Sequence, residues 1–291
     1  MTNFNNAPEM DLQYKTIHPV KYLQDHLEQG SRPDGRKFLS FRPVSINVSS
    51  IIQADSSAIF KLGDTSAVCG IKAELAIPRA DIPDHGYLVP NIELSPLCSS
   101  KFRPGPPSEQ AQVLSKSIDI ILSNSRALDL KDLCICKNKL VWVLYCDILC
   151  LNFNGSVIDA CIGAVIAALK TLTLPEVNYN NETGIIVVHP ENRKAFPVRT
   201  FPVSASFAIF EKQLLLADPS DDEEVLSSAR FFIVMDDEEE ICYIHKPGGI
   251  AISQNLLCKG LEMTKIRAKL VRSVINAAIS TLNINNIEIN L

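Results

Sequence analysis

A strongly apolar segment in the middle of the chain constrains the fold more than any other feature. It begins with an almost unbroken apolar run, Leu140–Leu151, which predicts a strand covered on both faces. The Asn154-Gly155 pair then turns the chain into Val157–Leu172, which has the pattern of a helix that is apolar nearly all round. Because such a helix avoids water on every side, we expect it to lie at the centre of the molecule, packed between other elements.

The composition fits a large buried core and argues against several other classes of protein. The 291 residues are 46% hydrophobic, and no run reaches the roughly 18 apolar residues that suggest a membrane span. Most of the nine cysteines lie in apolar runs, where a free thiol behaves as a small hydrophobe. No C-x-x-C pair occurs and the five histidines are scattered, so we expect no disulfides, no metal and no cofactor. The polar start of the chain lacks a secretory signal, which favours an intracellular protein.

In the first half, hydrophobic alternation predicts strands before the central helix. Residues 1–18 are expected to form a flexible arm, followed by a short helix that begins at Pro19 and ends at Gly30. Ser108 is a suitable N-cap for a further helix. The predicted strands are 44–48, 58–62, 66–75 and 87–94.

The second half, which starts near Pro175, again predicts strands followed by a long helix. This helix spans about Gln254–Leu282 and would turn Leu261, Leu270, Val274 and Ala278 toward a sheet. The predicted strands are 183–189, 196–210, 214–217, 230–235 and 241–245. Pattern alone therefore indicates an α+β fold class. The predicted divisions are an arm with a short helix (1–30), a first half (31–174), a second half (175–283) and a loose tail (284–291).

Several motifs in a fixed order resemble the RNase PH-like subunits of the RNA exosome ring. They are R-P-D-G-R at 32–36, L-C-S-S-K-F-R at 97–103, the strand around Trp142, N-G-S at 154–156, D-P-S at 218–220 and H-K-P-G-G at 245–249. The resemblance covers nearly the whole chain. It implies the RNase PH fold, with two βαβα halves, mixed sheets and packed helices, similar to domain 2 of ribosomal protein S5. It also implies a hetero-hexameric ring of related subunits topped by RNA-binding cap subunits.

The resemblance also implies that this chain lacks the phosphate-binding arginines of active relatives, which cleave RNA with inorganic phosphate. Arginines are needed there because two unit charges about 4 Å apart repel by ~4 kcal/mol at an effective dielectric near 20. The corresponding positions here are Pro106, Gln112 and Val157. Two aspartates of active relatives fall on Asp218 and Glu224, so carboxyl groups remain.

These substitutions predict a protein that is not an enzyme. The predicted role is a non-catalytic ring subunit that helps assemble the exosome core and lines the channel guiding RNA in 3′–5′ processing and decay. The ring would act in ribosomal RNA maturation and messenger RNA turnover, in the nucleus, nucleolus and cytoplasm. Two alternatives stay open. One is an active phosphate-dependent 3′–5′ exoribonuclease that uses Asp218 and Glu224, and the other is a free-standing adaptor with the same fold.

RNA-binding candidates follow from the same resemblance. Lys101 and Arg103 lie in a loop that faces the channel in relatives, and Ser156 lies where an anion can meet the start of the central helix. The alternative for the two cations is an ordinary exposed basic loop. The net charge of −5 predicts weak RNA binding by the isolated chain.

The other charged residues are expected to be mainly structural. Arg32 and Arg36 would pair with acids or with a neighbouring subunit, and Asp159 would cap or pair locally. The acidic segment 221–224 is expected to be a solvated loop. A stripe of Lys265, Lys269 and Arg272 on the last helix is either a solvated face or a surface that follows phosphates.

Overall fold

The computed structural model describes residues 13–180, 184–210 and 214–289, with side chains as far as residue 282. The helices are α1 (Pro19–Glu28), α2 (Glu109–Asn124), α3 (Val157–Thr171), α4 (Asp221–Leu226) and α5 (Gln254–Ile289). The strands are β1 (Val44–Val48), β2 (Ser56–Leu62), β3 (Thr65–Ala76), β4 (Tyr87–Glu93), β5 (Cys134–Cys136), β6 (Leu140–Asn152), β7 (Thr173–Tyr179), β8 (Ile186–Ala195), β9 (Val203–Phe210), β10 (Leu214–Ala217), β11 (Ala229–Met235) and β12 (Ile241–His245).

Two main sheets carry the two halves of the chain. The first has the order β1-β2-β3-β6-β4, with β5 paired to β6, and its β4–β6 pair is parallel. The second has the order β10-β9-β11-β12 and is antiparallel throughout. Strands β7 and β8 form a separate two-stranded sheet. The α+β class with mixed sheets and packed helices is therefore confirmed.

Helix α3 lies at the centre, as the sequence predicted. Every residue from Val157 to Leu169 is buried, and the helix contacts β2 and β3 of the first sheet and β9 of the second. One turn of α3 comes very close to the first sheet. A Cβ atom at Gly163 would lie 2.3 Å from a ring carbon of Phe60, so only glycine fits there without displacing the ring.

The strand before α3 is confirmed, but it is covered on both faces over only part of its length. In β6, Leu140–Leu144 is buried throughout, whereas Tyr145 and Asp147 are exposed. Helix α3 covers one face of the sheet, and the opposite face opens to solvent beyond Leu144. The apolar run in the sequence therefore overstated how much of this strand is enclosed.

The strand predictions at the start of the second half were partly wrong. The sequence predicted a continuous strand over 196–210, but the strand observed is Val203–Phe210. Pro197 and Pro202 lack backbone N–H groups, which explains why pairing begins after them. Strand β7 was missed. The strand predicted at 183–189 corresponds to β8, and residue 183 lies outside the described residues.

Helix α5 is longer than predicted, and its predicted inner face is only partly correct: Leu261 and Ala278 pack against the buried core, whereas Leu270 does not. It continues to Ile289, so residues 284–289 of the expected tail are helical, and 290–291 lie outside the described residues. Leu270 is 48% exposed, whereas Val271 and Ile275 are buried. The buried stripe also includes Thr264 and Arg267, and such polar positions cannot be found from apolar periodicity.

The N-terminal arm is also more ordered than predicted over its described part. Residues 13–17 are helical, and Tyr14 donates a 2.6 Å hydrogen bond to Asp25 of α1; residues 1–12 lie outside the described residues. Helix α1 begins at Pro19 as predicted, but Val20 is 54% exposed while Tyr22 and Leu23 are buried. Among the described residues, none of the helices combines the length and apolar content needed to cross a membrane.

Candidate functional site

The segment 218–224 closes against the start of α3, where the two halves of the chain meet. Strand β10 ends at Ala217, and the next residue, Asp218, has a positive φ of 51° that turns the chain sharply. Ser220 and Glu223 then form a capping box that starts α4. This turn places both predicted acid positions next to the loop that leads into α3.

Asp218 is fully buried and held by Arg42. The Arg42 side chain donates from Nε to one carboxylate oxygen at 2.9 Å and from Nη2 to the other at 2.6 Å. The backbone N–H of Arg42 donates a third hydrogen bond, at 2.8 Å. Burial opposes the charged form, but these hydrogen bonds and the charge of Arg42 hold the pKa of Asp218 below its ordinary value. Asp218 is therefore an ionised structural group and a poor proton donor at neutral pH.

Arg42 also ties this carboxylate to the first half of the chain. Its Nη1 donates to the carbonyl oxygen of Asn154 at 2.8 Å and to the hydroxyl of Thr65 at 3.2 Å. Sequence reasoning missed Arg42, because one arginine between Phe41 and Pro43 carries no motif.

The R-P-D-G-R turn has the structural role that the sequence predicted. Arg32 is 1% exposed and forms a two-pronged ion pair with Glu223, including an Nε–Oε1 hydrogen bond of 2.9 Å. It also donates to the carbonyl oxygen of Ala217 at 2.7 Å. Arg36 donates to the carbonyl oxygen of Asp218 at 3.2 Å. The prediction of a solvated acidic loop was wrong, since 221–224 lies in α4 and its Glu223 is buried against Arg32.

Glu224, the second predicted acid position, contacts Ser156. The backbone N–H of Ser156 donates to one oxygen of Glu224 at 2.6 Å, and Nη1 of Arg230 lies 3.5 Å from the other. The Ser156 hydroxyl donates to the carbonyl oxygen of Pro219 at 3.0 Å. Burial raises the pKa of Glu224 to about 7, against the lowering effect of the Ser156 N–H. Both polar groups of Ser156 are engaged within the chain, and its contact with RNA stays a prediction.

A cavity of about 360 Å³ opens beside these residues. Its walls come from α2, α3, β11 and β12 and include Val157, one of the three positions where the resemblance predicts a lost arginine. Glu109, Glu224 and Arg230 also line it, together with His245. The charged side chains on its wall are thus two acids and one base.

The other two positions of a predicted arginine loss lie elsewhere. Gln112 lines a shallow groove between β4 and α2 and donates to the carbonyl oxygen of Pro107 at 3.1 Å. Pro106 lies exposed in the loop before α2. The structure therefore brings together Ser156, Val157 and Glu224 and leaves Gln112 and Pro106 outside this cavity wall.

Lys101 and Arg103 lie in the exposed loop that precedes α2. The Nζ of Lys101 contacts both carboxylate oxygens of Asp221, at 2.5 and 2.6 Å. The loop is thus held next to the 218–224 segment, and Arg103 is exposed beside it. Contact of either cation with RNA stays a prediction.

Asp159 pairs with a residue far away in the sequence, whereas local pairing was expected. It lies in the first turn of α3 and accepts hydrogen bonds from the backbone N–H and the hydroxyl of Ser206, at 2.9 and 3.0 Å. Ser206 belongs to β9 and lies 47 residues later. Burial raises the pKa of Asp159 to about 6, while hydrogen bonds from serines lower it. The role of Asp159 is to fasten α3 to the second sheet.

The basic stripe on α5 is engaged within the chain. Lys265 and Lys269 pair with Glu239 at 3.0 and 2.8 Å, and Arg272 donates to the carbonyl oxygen of Met235 at 3.2 Å. These contacts explain the basic stripe without a phosphate-binding role. Across 13–180, 184–210 and 214–282, no group of three histidine, cysteine, aspartate or glutamate side chains is arranged to hold a metal ion.

We expect Glu224→Gln to become more stable, relative to the wild-type chain, as the pH rises. The pKa of about 7 in the folded chain lies above the ordinary value of 4.5, so the folded state binds the proton more tightly than the unfolded state. Ionisation therefore costs folding stability as the pH rises from 4.5 toward 7, and glutamine avoids that cost. Asp221 and Asp159 increase the cost, and Arg230 reduces it.

Urea unfolding at pH 5 and pH 8 checks this expectation. The stability difference between the variant and the wild-type chain should be larger at pH 8. Glu28→Gln, at an exposed glutamate, is the matched control measured at the same two pH values. A pH-independent effect of Glu224→Gln would contradict the expectation.

Comparisons with known proteins agree with this geometry. Residues 40–175 match the family model described as the 3′ exoribonuclease family, domain 1, and residues 200–267 match domain 2 of that family. The chain is 42% identical over 252 residues to the exosome complex component rrp43 of Schizosaccharomyces pombe, which covers 87% of this chain and 93% of the relative. It is 35% identical to the exosome complex component Rrp42 of Pyrococcus furiosus, covering 90% of this chain and 94% of the relative.

Solved structures give the same result. A chain of the Archaeoglobus fulgidus exosome with RNA bound to the active site superposes with a TM-score of 0.78 and 32% identity, covering 87% of this chain and 96% of that chain. A chain of an archaeal exosome core superposes with a TM-score of 0.76 and 30% identity, covering 92% and 99%.

Proposed function

Because this chain belongs to the 3′ exoribonuclease family and has the RNase PH fold, we propose that it is a non-catalytic ring subunit of the RNA exosome. It assembles with other RNase PH-like subunits into a hetero-hexameric ring and supports RNA-binding cap subunits. The ring guides RNA in 3′–5′ processing and decay, including ribosomal RNA maturation and messenger RNA turnover. The RNA processing and decay take place in the nucleus, the nucleolus and the cytoplasm.

The charge on the cavity wall is the observation that supports a non-catalytic role. A phosphorolytic site must hold a phosphate anion next to a phosphodiester, which requires several cations in the same pocket. Here the charged residues that line the cavity are two acids, Glu109 and Glu224, and one base, Arg230. The nearby buried arginines are committed to other groups: Arg42 to Asp218 and Arg32 to Glu223. Attacking phosphate would therefore be repelled from this cavity.

RNA is guided by backbone contacts in this proposal. Lys101 and Arg103 contribute positive charge from an exposed loop, and Lys101 is positioned by Asp221. Phosphate contacts of this kind hold a strand without reading its sequence. Ser156 is a weaker candidate because its hydroxyl and its N–H are both hydrogen-bonded inside the chain.

An active phosphate-dependent 3′–5′ exoribonuclease is the second candidate, and one observation favours it. Glu224 has a pKa of about 7, which suits a general acid that works at neutral pH. Asp218, by contrast, is ionised and enclosed by Arg42. One carboxyl group with a suitable pKa, without cations to bind phosphate, is weaker support for an enzyme than the cavity charge is for a non-catalytic ring subunit.

A phosphorolysis assay tests the proposed function. The purified chain is incubated with RNA labelled at its 3′ end and with inorganic phosphate, with and without Mg²⁺. We expect no phosphate-dependent release of nucleoside diphosphates, because the cavity lacks the charge to hold the nucleophile. Release above that of a heat-inactivated sample would support the enzyme and overturn the non-catalytic role.

Size-exclusion of a cell extract is the companion measurement for ring membership. We expect the chain to elute in a large complex with other RNase PH-like subunits and cap subunits. Elution at the mass of a single chain would support a free-standing adaptor instead.

A further inference from the structure

The Glu224 carboxylate bridges two hydrogen-bond donors that together form a cradle for an oxyanion. One donor is the backbone N–H of Ser156, 2.6 Å from Oε1, and the other is the Arg230 guanidinium, 3.5 Å from Oε2. Each donor thus faces a different oxygen of the same group. A carboxylate held in this way occupies the place where two oxygens of a sulfate or phosphate would lie.

The cradle opens onto the cavity of about 360 Å³, which has room for an ion much larger than a carboxylate. Arg230 is exposed over 51% of its side chain and is therefore accessible from solvent. The Ser156 backbone is fixed, because its hydroxyl donates to Pro219 and its φ of 50° places it in the left-handed region. The Ser156 donor would therefore stay in place if the glutamate side chain were removed, and Arg230 would still line the cavity.

We propose that Glu224 acts as a built-in anion that occupies this cradle and excludes external oxyanions from it. The inference deepens the proposed non-catalytic function and rests on it. The missing arginines weaken anion binding in this cavity. The Glu224 carboxylate then blocks the two hydrogen-bond donors that could still bind an anion. Glu224 is a covalently attached ligand with a high effective concentration, so a free ion of similar chemistry competes poorly.

Binding of sulfate to the full-length chain tests the proposal. Sulfate keeps two negative charges at pH 8, where the Glu224 carboxyl group is ionised in the wild-type chain. Equilibrium dialysis with radiolabelled sulfate at constant ionic strength measures the occupancy directly. Glu224→Ala empties the cradle, and Glu224→Gln removes the charge while keeping nearly the same shape and fold. Glu224→Ala is expected to bind sulfate at least tenfold more tightly than the wild-type chain, with one site per chain. Glu224→Gln is expected to gain less, because its amide oxygen can still accept the hydrogen bond from the Ser156 N–H.

Two further variants decide whether the cradle itself is responsible. Glu109→Gln removes one negative charge from the same cavity without touching Ser156 or Arg230, so it should leave sulfate binding near the wild-type level. Adding Arg230→Gln to Glu224→Ala should abolish the gained site. The inference is overturned if Glu224→Ala gains no binding, or if Glu109→Gln gains as much as Glu224→Ala does.

This result can be separated from the test of the proposed function. Phosphorolysis by the wild-type chain would overturn the non-catalytic role. Failure of the Glu224 variants to bind sulfate would overturn only the role of Glu224, since a subunit can be inactive without an internal anion.

Discussion

Replacing Arg42 by methionine is expected to lower the free energy of unfolding by about 3–5 kcal/mol, the range seen when one partner of a buried ion pair is removed. Asp218 is completely buried, and the Arg42 side chain supplies two of its hydrogen bonds, at 2.9 and 2.6 Å. Methionine would retain the apolar stem and leave the carboxylate without its main counter-charge. It would also leave the carbonyl oxygen of Asn154 without the 2.8 Å hydrogen bond from Nη1.

Urea unfolding of the purified chain measures this loss. The matched control is Lys194→Met, which removes a lysine that pairs with Glu176 at 2.8 Å but is 74% exposed. Its expected cost is about 0–1 kcal/mol, because exposed ion pairs contribute little. Adding Asp218→Asn to Arg42→Met should restore part of the lost stability, since no uncompensated charge then remains. A loss below about 1 kcal/mol for Arg42→Met would contradict the central role of this pair.

Replacing Gly155 by alanine is the second change with a large expected effect. Gly155 has a φ of 71°, and an added Cβ would lie 2.4 Å from the carbonyl oxygen of Pro219 and 2.6 Å from the carbonyl carbon of Ser220. The positive φ costs about 1–2 kcal/mol for a residue with a side chain. Displacing the two backbone segments adds about 1–3 kcal/mol of overpacking. The measurement is again the free energy of unfolding in urea.

Gly30→Ala separates these two contributions. Gly30 has nearly the same φ, 74°, but nothing lies within 4 Å of the position of its Cβ. We expect this control to lose only the conformational part, about 1–2 kcal/mol. Equal losses in the two variants would show that the contact between Gly155 and the 218–220 turn is not tightly packed.

Both changes act at the seam where the two halves of the chain meet. Gly155 allows the loop before α3 to touch the Asp218–Ser220 turn, and Arg42 binds the backbone of that loop and the carboxylate of that turn. Asp159 adds a further link, from α3 to Ser206 in β9. The candidate site is therefore also a structural joint, which explains why its carboxylates are engaged within the chain.

Much of the fold could be predicted from local patterns. The apolar run of β6, the central helix α3 and the N-cap at Ser108 were all found, because burial and capping leave periodic or short-range signals in the sequence. The structural role of Arg32 was also found, although its partner was not. Boundaries were less accurate where prolines interrupt pairing, as before Val203, and where a helix buries polar residues, as at Thr264 in α5.

The amino-acid order alone thus predicted the α+β class and the central helix, and the structure confirms both. The loss of arginines at positions 106, 112 and 157 is what the family resemblance implies, and it stays a prediction. Only the tertiary structure identified the partners of the buried charges. Arg42 and Asp218 are 176 residues apart, and Arg32 and Glu223 are 191 residues apart. Hydrophobic periodicity is a property of neighbouring residues, whereas a buried charge must find its counter-charge wherever the packed elements bring one within a few ångströms.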